Sequence, residues 1–133
     1  MRLTRFTDYA LRLLIHLAER PGERCTIAEV AAAQRVSEHH LGKVAHALAG
    51  AGLVKAARGR MGGLSLARAA DAITVGEVVR RLEPTDALAD CAECVEAPTC
   101  RLPRPLDGAM GAFLAHLDDV MLADVCRPAA KAA

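Results

Sequence analysis

The sequence has no apolar stretch long enough to cross a bilayer. Its best run, residues 10–18, is broken by Arg12 and His16 and falls well short of the ~20 residues a spanning helix needs. A secretory leader pattern is also missing, and five cysteines are an odd number, so a complete disulfide framework is excluded and a reducing cytoplasm is the expected compartment. Strands alternating with helices are lacking as well. That removes the βαβ setting that a thiol-disulfide oxidoreductase built on Cys91-Ala92-Glu93-Cys94 would require, and no enzyme is expected. Net charge is nearly absent, at +1 over 133 residues, but the total hides an asymmetry. Residues 1–68 carry eleven Lys/Arg against five Asp/Glu, and residues 69–133 carry six against eleven. The basic half is where an anion would dock, and nucleic acid is the natural candidate. At this length, with ample apolar sequence, one compact unit with a proper core is expected.

Cysteine is concentrated where other chemistry is sparse. Cys91, Cys94 and Cys100 lie within ten residues, flanked by acidic side chains and Pro98. Three thiols cannot all pair with one another, but loop thiolates at short spacings are soft ligands for one side of an iron or zinc centre. A fourth ligand must come from elsewhere. Structural zinc on the three cysteines with Asp8 or His116 is one alternative, and a metal-free thiol switch is another.

The first half has the punctuation of short helices. Leu3, Phe6, Tyr9, Ala10, Leu13, Leu14 and Leu17 recur at three- and four-residue steps, which predicts a helix over 4–20 with Thr4 at its cap and Pro21-Gly22 ending it. Asp8 falls on the polar side, one turn before Arg12. Thr26-Ile27-Ala28-Glu29 is a capping box with Cys25 and Val30 placed as a staple, so Cys25 is expected to be a buried apolar residue rather than a ligand. A second helix to about Gln34, a break at Arg35-Val36, and a third helix capped by Ser37 with Leu41, Val44, Ala45 and Leu48 inward have the form of a helix-turn-helix. Residues 53–58 and 64–68 are expected as strands around a Gly-rich turn tipped by Arg58 and Arg60, which is a wing. Ser37, Glu38, His39, His40 and Lys43, together with His46, form a polar set able to meet base edges and phosphates in a major groove. Arg58 and Arg60 are suited to a narrow minor groove.

Thr74 and Glu77 predict a second capping box, with Ile73 stapled to Val78 and a helix over 75–82 stopped by Pro84. Leu106, Met110, Phe113, Leu114, Leu117, Met121 and Leu122 predict a helix of about five turns, too apolar to stand alone and suited to pairing with a copy of itself. Cys126 is expected to be a bystander in a frayed end, and His116 to be solvated. The expected fold is mainly α with a small β-hairpin wing. It divides into a winged helix-turn-helix domain over 1–83 (helix-turn-helix about 27–50, wing about 53–68), a cysteine loop over 84–105, a dimerisation helix over 106–126 and a flexible tail over 127–133.

Taken in order, Met1-Arg2-Leu3-Thr4-Arg5-Phe6-Thr7-Asp8-Tyr9-Ala10-Leu11-Arg12, Val54 through Gly63, Ile73 through Pro84, Cys100-Arg101-Leu102 and Leu122-Ala123-Asp124-Val125 resemble the landmarks of the Rrf-type winged-helix repressors, most closely their nitric-oxide-sensing members. The resemblance covers nearly the whole chain. It implies a homodimeric repressor on a two-fold double-stranded DNA operator, with one iron-sulfur cluster per subunit held by Cys91, Cys94 and Cys100 and completed by Asp8 of the partner subunit. It further implies a four-iron cluster, with a two-iron cluster as the alternative, and nitric oxide as the effector that relieves repression of nitrosative-stress genes. A related regulator that monitors cluster supply with a two-iron centre takes a histidine three residues after its last cysteine, where this chain has Pro103, so the histidine-ligated type is disfavoured, with an iron-sulfur regulator sensing cluster supply or redox state as the alternative. Cys94 and Cys100 keep the family's five intervening residues, whereas only two separate Cys91 from Cys94 in place of the usual about four or five.

Overall fold

The computed structural model describes residues 2–91, 94, 95 and 99–127. Helix α1, Arg5–Ala18, is the element against which most of the others pack. The Thr4 hydroxyl oxygen accepts the Thr7 N–H at 3.3 Å and caps it, and Asp8 in the first turn complements the positive end of the helix. Its inward stripe of Ala10, Leu13, Leu14 and Leu17 is buried. The start of α1 is tied to the end of a later helix through Glu83, whose carboxylate accepts the backbone N–H of Thr4 at 2.6 Å and the Thr4 hydroxyl at 2.9 Å. Burial pushes the Glu83 carboxyl up, but hydrogen bonds from Thr7 and Thr4 outweigh it and the pKa is lowered.

Helix α2, Ile27–Gln34, begins with the full capping box: the Thr26 hydroxyl accepts the Glu29 N–H at 3.2 Å, and the Glu29 carboxylate accepts the Thr26 N–H at 2.7 Å. It ends on Arg35 in the left-handed region at φ 54°, the one non-glycine residue with positive φ among those described. That conformation costs an L-residue roughly 1–2 kcal/mol and turns the chain sharply enough for Ser37 to cap α3, Glu38–Gly50. Leu41, Val44, Ala45 and Leu48 of α3 are buried against α1 and α2.

Strands β1, Val54–Ala57, and β2, Gly63–Leu66, pair antiparallel with Val54 opposite Leu66 and Ala57 opposite Gly63. Gly62 has no room for a side chain, since a Cβ there would lie 2.8 Å from the Gly59 carbonyl oxygen. Cys25 adds a third, one-residue rung: its N–H reaches the Leu64 oxygen at 3.0 Å, and the Leu64 N–H reaches the Cys25 oxygen at 2.8 Å. The expected burial of Cys25 is therefore found, and β pairing as well as helix packing holds it there.

After a single 3-10 turn at Ala70–Ala72, helix α4, Val75–Leu82, is capped by the Thr74 hydroxyl accepting the Glu77 N–H at 3.0 Å. The reciprocal half of the predicted box is not formed. The Glu77 carboxylate instead takes the Arg68 guanidinium at 2.6 Å, a cation that returns from the wing and outcompetes a neutral backbone N–H.

Helix α5 runs from Pro103 to Asp118, with two prolines in its first turn where their missing N–H groups cost nothing. The predicted continuous helix to residue 126 is thus corrected. The chain straightens at Val120 and Met121 and crosses the loop before α4, with the Val75 N–H on the Val120 oxygen and the Leu122 N–H on the Ile73 oxygen, both at 2.8 Å. Only then does the short helix α6, Leu122–Val125, form. Leu122 is fully buried beside the core of the winged domain, and this burial is what breaks the helix. Cys126 is not frayed. It is half-buried, its thiol donates to the Leu122 oxygen at 3.1 Å, and Arg127 grips the Glu19 carboxylate with its backbone N–H (2.9 Å) and its guanidinium (3.1 Å). The rest of the expected flexible tail, 128–133, lies outside the described residues.

Two apolar clusters result. The larger joins α1, α2, α3 and the wing to Ile73, Val78 and Leu122, and the smaller sandwiches Val75 and Val79 of α4 against Met110 and Leu114 of α5. At the α4–α5 crossing Gly76 lets the two backbones touch, because a Cβ there would meet the Asp118 backbone N at 2.7 Å and Cα at 2.9 Å, in addition to its carboxylate. Arg80 pairs with Asp118 across the same crossing. Gly76→Ala is expected to lower stability by about 1–3 kcal/mol in urea unfolding. Gly50→Ala, where the added methyl meets nothing within 4 Å, should change it by less than about 0.5 kcal/mol.

His16 is a buried ionisable side chain on α1, and its pKa is pushed below the usual 6.5 by burial and then by the positive charge of Arg20. The fold therefore favours neutral imidazole. The stability it contributes is fully present above pH 6.5 and is lost as pH falls through the lower folded-state value. His16→Gln should flatten that part of the stability profile, measured as urea midpoints across a pH series.

Candidate nucleic-acid interface and cysteine loop

The buried stripe of α3 fixes which side chains face outward. Glu38, His39, His40, Lys43 and His46 are all exposed, including His40, which periodicity had set nearer the boundary. The His39 and His40 rings lie 6.0 Å apart, a fan of donors at the start of the helix. Ser37, expected among the DNA contacts, is exposed; its hydroxyl oxygen accepts the His40 N–H at 3.5 Å, which leaves its O–H free to donate outward and one lone pair to accept. Arg58 and Arg60 stand exposed at the tip of the hairpin, next to Met61, which is 84% exposed. One side chain that sequence reasoning missed braces this tip: the Arg24 guanidinium donates to the Met61 carbonyl at 2.9 Å. No local pattern could reveal a contact 37 residues apart.

The cysteine loop leads from the end of α4 into α5. Cys91 is half-buried, and Cys94 and Cys100 are exposed. The Cys94 N–H reaches the Cys91 oxygen at 3.3 Å, and the Leu102 N–H points at the Cys100 sulfur at 3.5 Å. A cleft of about 740 Å³ opens beside Cys91, lined also by Asp86, Asp90, Asp107, Leu106 and Pro103. Residues 92, 93 and 96–98 lie outside the described residues. Among the described residues no three His, Cys, Asp or Glu side chains converge closely enough to hold a metal ion. The donor chemistry fits an iron-sulfur or zinc centre, but the loop as it stands does not gather those donors.

The other two thiols are of a different kind. Burial pushes the Cys25 thiol up, and burial together with the charge of Glu19 does the same to Cys126, so neither is poised as a thiolate ligand. Asp8 is half-exposed on α1 and paired with Arg12 at 2.9 Å, and His116 is exposed on α5. Within one chain the structure does not bring Asp8 and the three loop cysteines together as a metal site. No helix among the described residues is long and apolar enough to cross a membrane.

A helix-turn-helix followed by an arginine-tipped hairpin, on a chain whose basic charge is concentrated in that half, defines a winged-helix DNA-binding regulator. Comparison with known proteins specifies it further. The family described as "Rrf2: Iron-dependent Transcriptional regulator" matches residues 3–128, and the chain belongs to that family. Among solved structures it is similar to CymR (YrzC), the global cysteine regulator of B. subtilis, with 29% identity over 94% of this chain and 95% of that one and a TM-score of 0.78. It is similar to T. potens IscR at 26% identity, covering 93% and 85%, with a TM-score of 0.77. A chain from Listeria innocua described as a transcriptional regulator shares 32% identity over 94% and 85%, with a TM-score of 0.77. The protein is thus a DNA-binding transcriptional regulator and not an enzyme.

The Asp8–Arg12 pair is exposed and local, so it holds Asp8 only weakly. Arg12→Ala should change thermal stability by no more than about 0.5 kcal/mol in calorimetry, in line with other exposed pairs one helical turn apart.

Proposed function

We propose that this regulator is a homodimeric repressor of the NsrR type, whose affinity for a two-fold operator is set by an iron-sulfur cluster and relieved by nitric oxide. The observation that carries the reading is the set of three cysteines, Cys91, Cys94 and Cys100, confined to one loop between α4 and α5 of a chain whose family is described as iron-dependent. Thiolates are the customary ligands of such clusters. Asp8 of the partner subunit supplies the remaining ligand in this reading, and a carboxylate is the weakest member of such a set. When bound, the cluster supplies iron that nitric oxide can attack. The chain's own part is to gather the three loop thiolates, to release Asp8 from Arg12, and to hold α3 and the wing at operator spacing with a four-iron centre in place. Ser37, Glu38, His39, His40 and Lys43 then face the major groove, and Arg58 and Arg60 the minor groove or its phosphates. Apolar α5, of which only Met110 and Leu114 are buried within the chain, is the proposed dimer seam. Control requires the two cluster states to differ in DNA affinity, since a ligand with equal affinity for both shifts nothing.

Likeness to IscR keeps a second reading in play, an iron-sulfur regulator of cluster supply. One set of measurements separates the cases. Anaerobically purified protein is expected to be brown, to contain iron and acid-labile sulfide, and to lose affinity on adding nitric oxide for duplexes enriched from a random pool. Asp8→Ala is expected to alter the cofactor's absorption spectrum while leaving the fold intact by circular dichroism. Colourless, zinc-loaded protein would replace the cluster with a structural site. Iron-loaded protein whose DNA affinity ignores nitric oxide would leave the supply-sensing reading in its place.

A further inference from the structure

Helices α1 and α3 meet in a groove of about 230 Å³ whose walls are Arg5, Phe6 and Tyr9 from α1 and His40, Lys43 and Val44 from α3. Val44 is fully buried at its floor, Phe6 is an exposed apolar side chain on one wall, and Arg5, His40 and Lys43 stand exposed on both rims. No acidic side chain lines it. Arg12, Arg68, Arg80 and Arg127 are each paired with a carboxylate of the chain, whereas Arg5 and Lys43 have no ion-pair partner among the described residues. A cleft with cations on opposite walls and nothing to neutralise them fits an anion, and its apolar floor fits a group with a carbon face attached to that anion.

We infer that this groove seats one phosphodiester of the DNA backbone, with Arg5 and Lys43 donating to its non-bridging oxygens from the two helices, the His40 ring N–H as a third donor, and Phe6 packing against the adjoining deoxyribose. The inference rests on α3 being the helix in the major groove, since His40 and Lys43 belong to both surfaces. It extends the interface onto α1, which no reading of the helix-turn-helix and wing includes. A contact of this kind fixes register on the duplex and carries no base preference. Arginine suits the position, because its planar fork can engage two phosphate oxygens at once.

The test is fluorescence anisotropy of full-length protein at several salt concentrations, using a labelled mixed-sequence duplex and a duplex enriched from a random pool. Arg5→Gln is expected to weaken binding to both duplexes by the same factor and to make the log–log salt slope shallower by about 0.9, the value of one lost phosphate contact. Arg5→Lys should restore most of the slope, and thermal melting should not change, because Arg5 is exposed. Loss confined to the enriched duplex would make Arg5 a base reader and overturn the phosphate assignment. If Arg5→Gln binds like wild type while Lys43→Ala and Arg60→Ala weaken, the groove lies off the DNA path and the inference fails alone. If none of the three weakens binding, the placement of α3 and the wing on DNA fails with it.

Discussion

The rest of the molecule depends on the burial of one helical stripe. Ala10, Leu13, Leu14 and Leu17 of α1 are almost wholly removed from water, and around them are laid α3, the wing strand β2, α4 and the terminal turn α6. Burying a large aliphatic side chain contributes roughly 1.5–3 kcal/mol, so these three leucines set the scale of the core. Because so many elements share this one surface, α1 cannot tilt without disturbing both the helix-turn-helix half and the half that bears the cysteines. The same helix presents Asp8 outward two residues from the buried Ala10, and it opens with Arg5 beside α3. Core, ligand candidate and charged rim thus occupy one rigid rod.

How far the sequence disclosed this depends on the range of the interactions. Local signals were reliable. The Thr4, Thr26, Ser37 and Thr74 caps, the helix-turn-helix, the hairpin and the stop after α4 all follow from residues within a few positions of one another. Where two local rules met a distant partner, the partner won. Glu77 left its own helix cap for Arg68, and the apolar repeat through Leu122 was cut because Leu122 fits the core of the winged domain better than the face of α5. Periodicity records only which residues are apolar, and Leu117 and Leu122 look equally apolar whether they lie on one helix or on two. Cys126 and Arg127 were misjudged for the same reason, since the Glu19 carboxylate that holds Arg127 lies 108 residues away.

The candidate sites divide along the same line. Outward positions on α3 and at the wing tip could be read from helical and hairpin geometry, and the structure finds them exposed. The cysteine loop could be located but not shaped, because the distances between its sulfurs depend on backbone dihedrals that no periodic pattern fixes and on whatever the thiols hold. The places of Arg24 behind the wing tip and of Arg5 beside α3 were not legible, because their surroundings come from elements far away in the chain.

The contact at Gly76 gives the C-terminal half a particular mechanics. With no side chain between the backbones, and with Arg80 clasping Asp118 at the same spot, that end of α5 is fastened directly to α4. The opposite end, at Pro103, lies about 24 Å away along a 16-residue rod and adjoins the cysteine loop. Between the two ends Met110 and Leu114 pack against Val75 and Val79, so α4 and α5 are clamped along their shared length and move as one rigid pair.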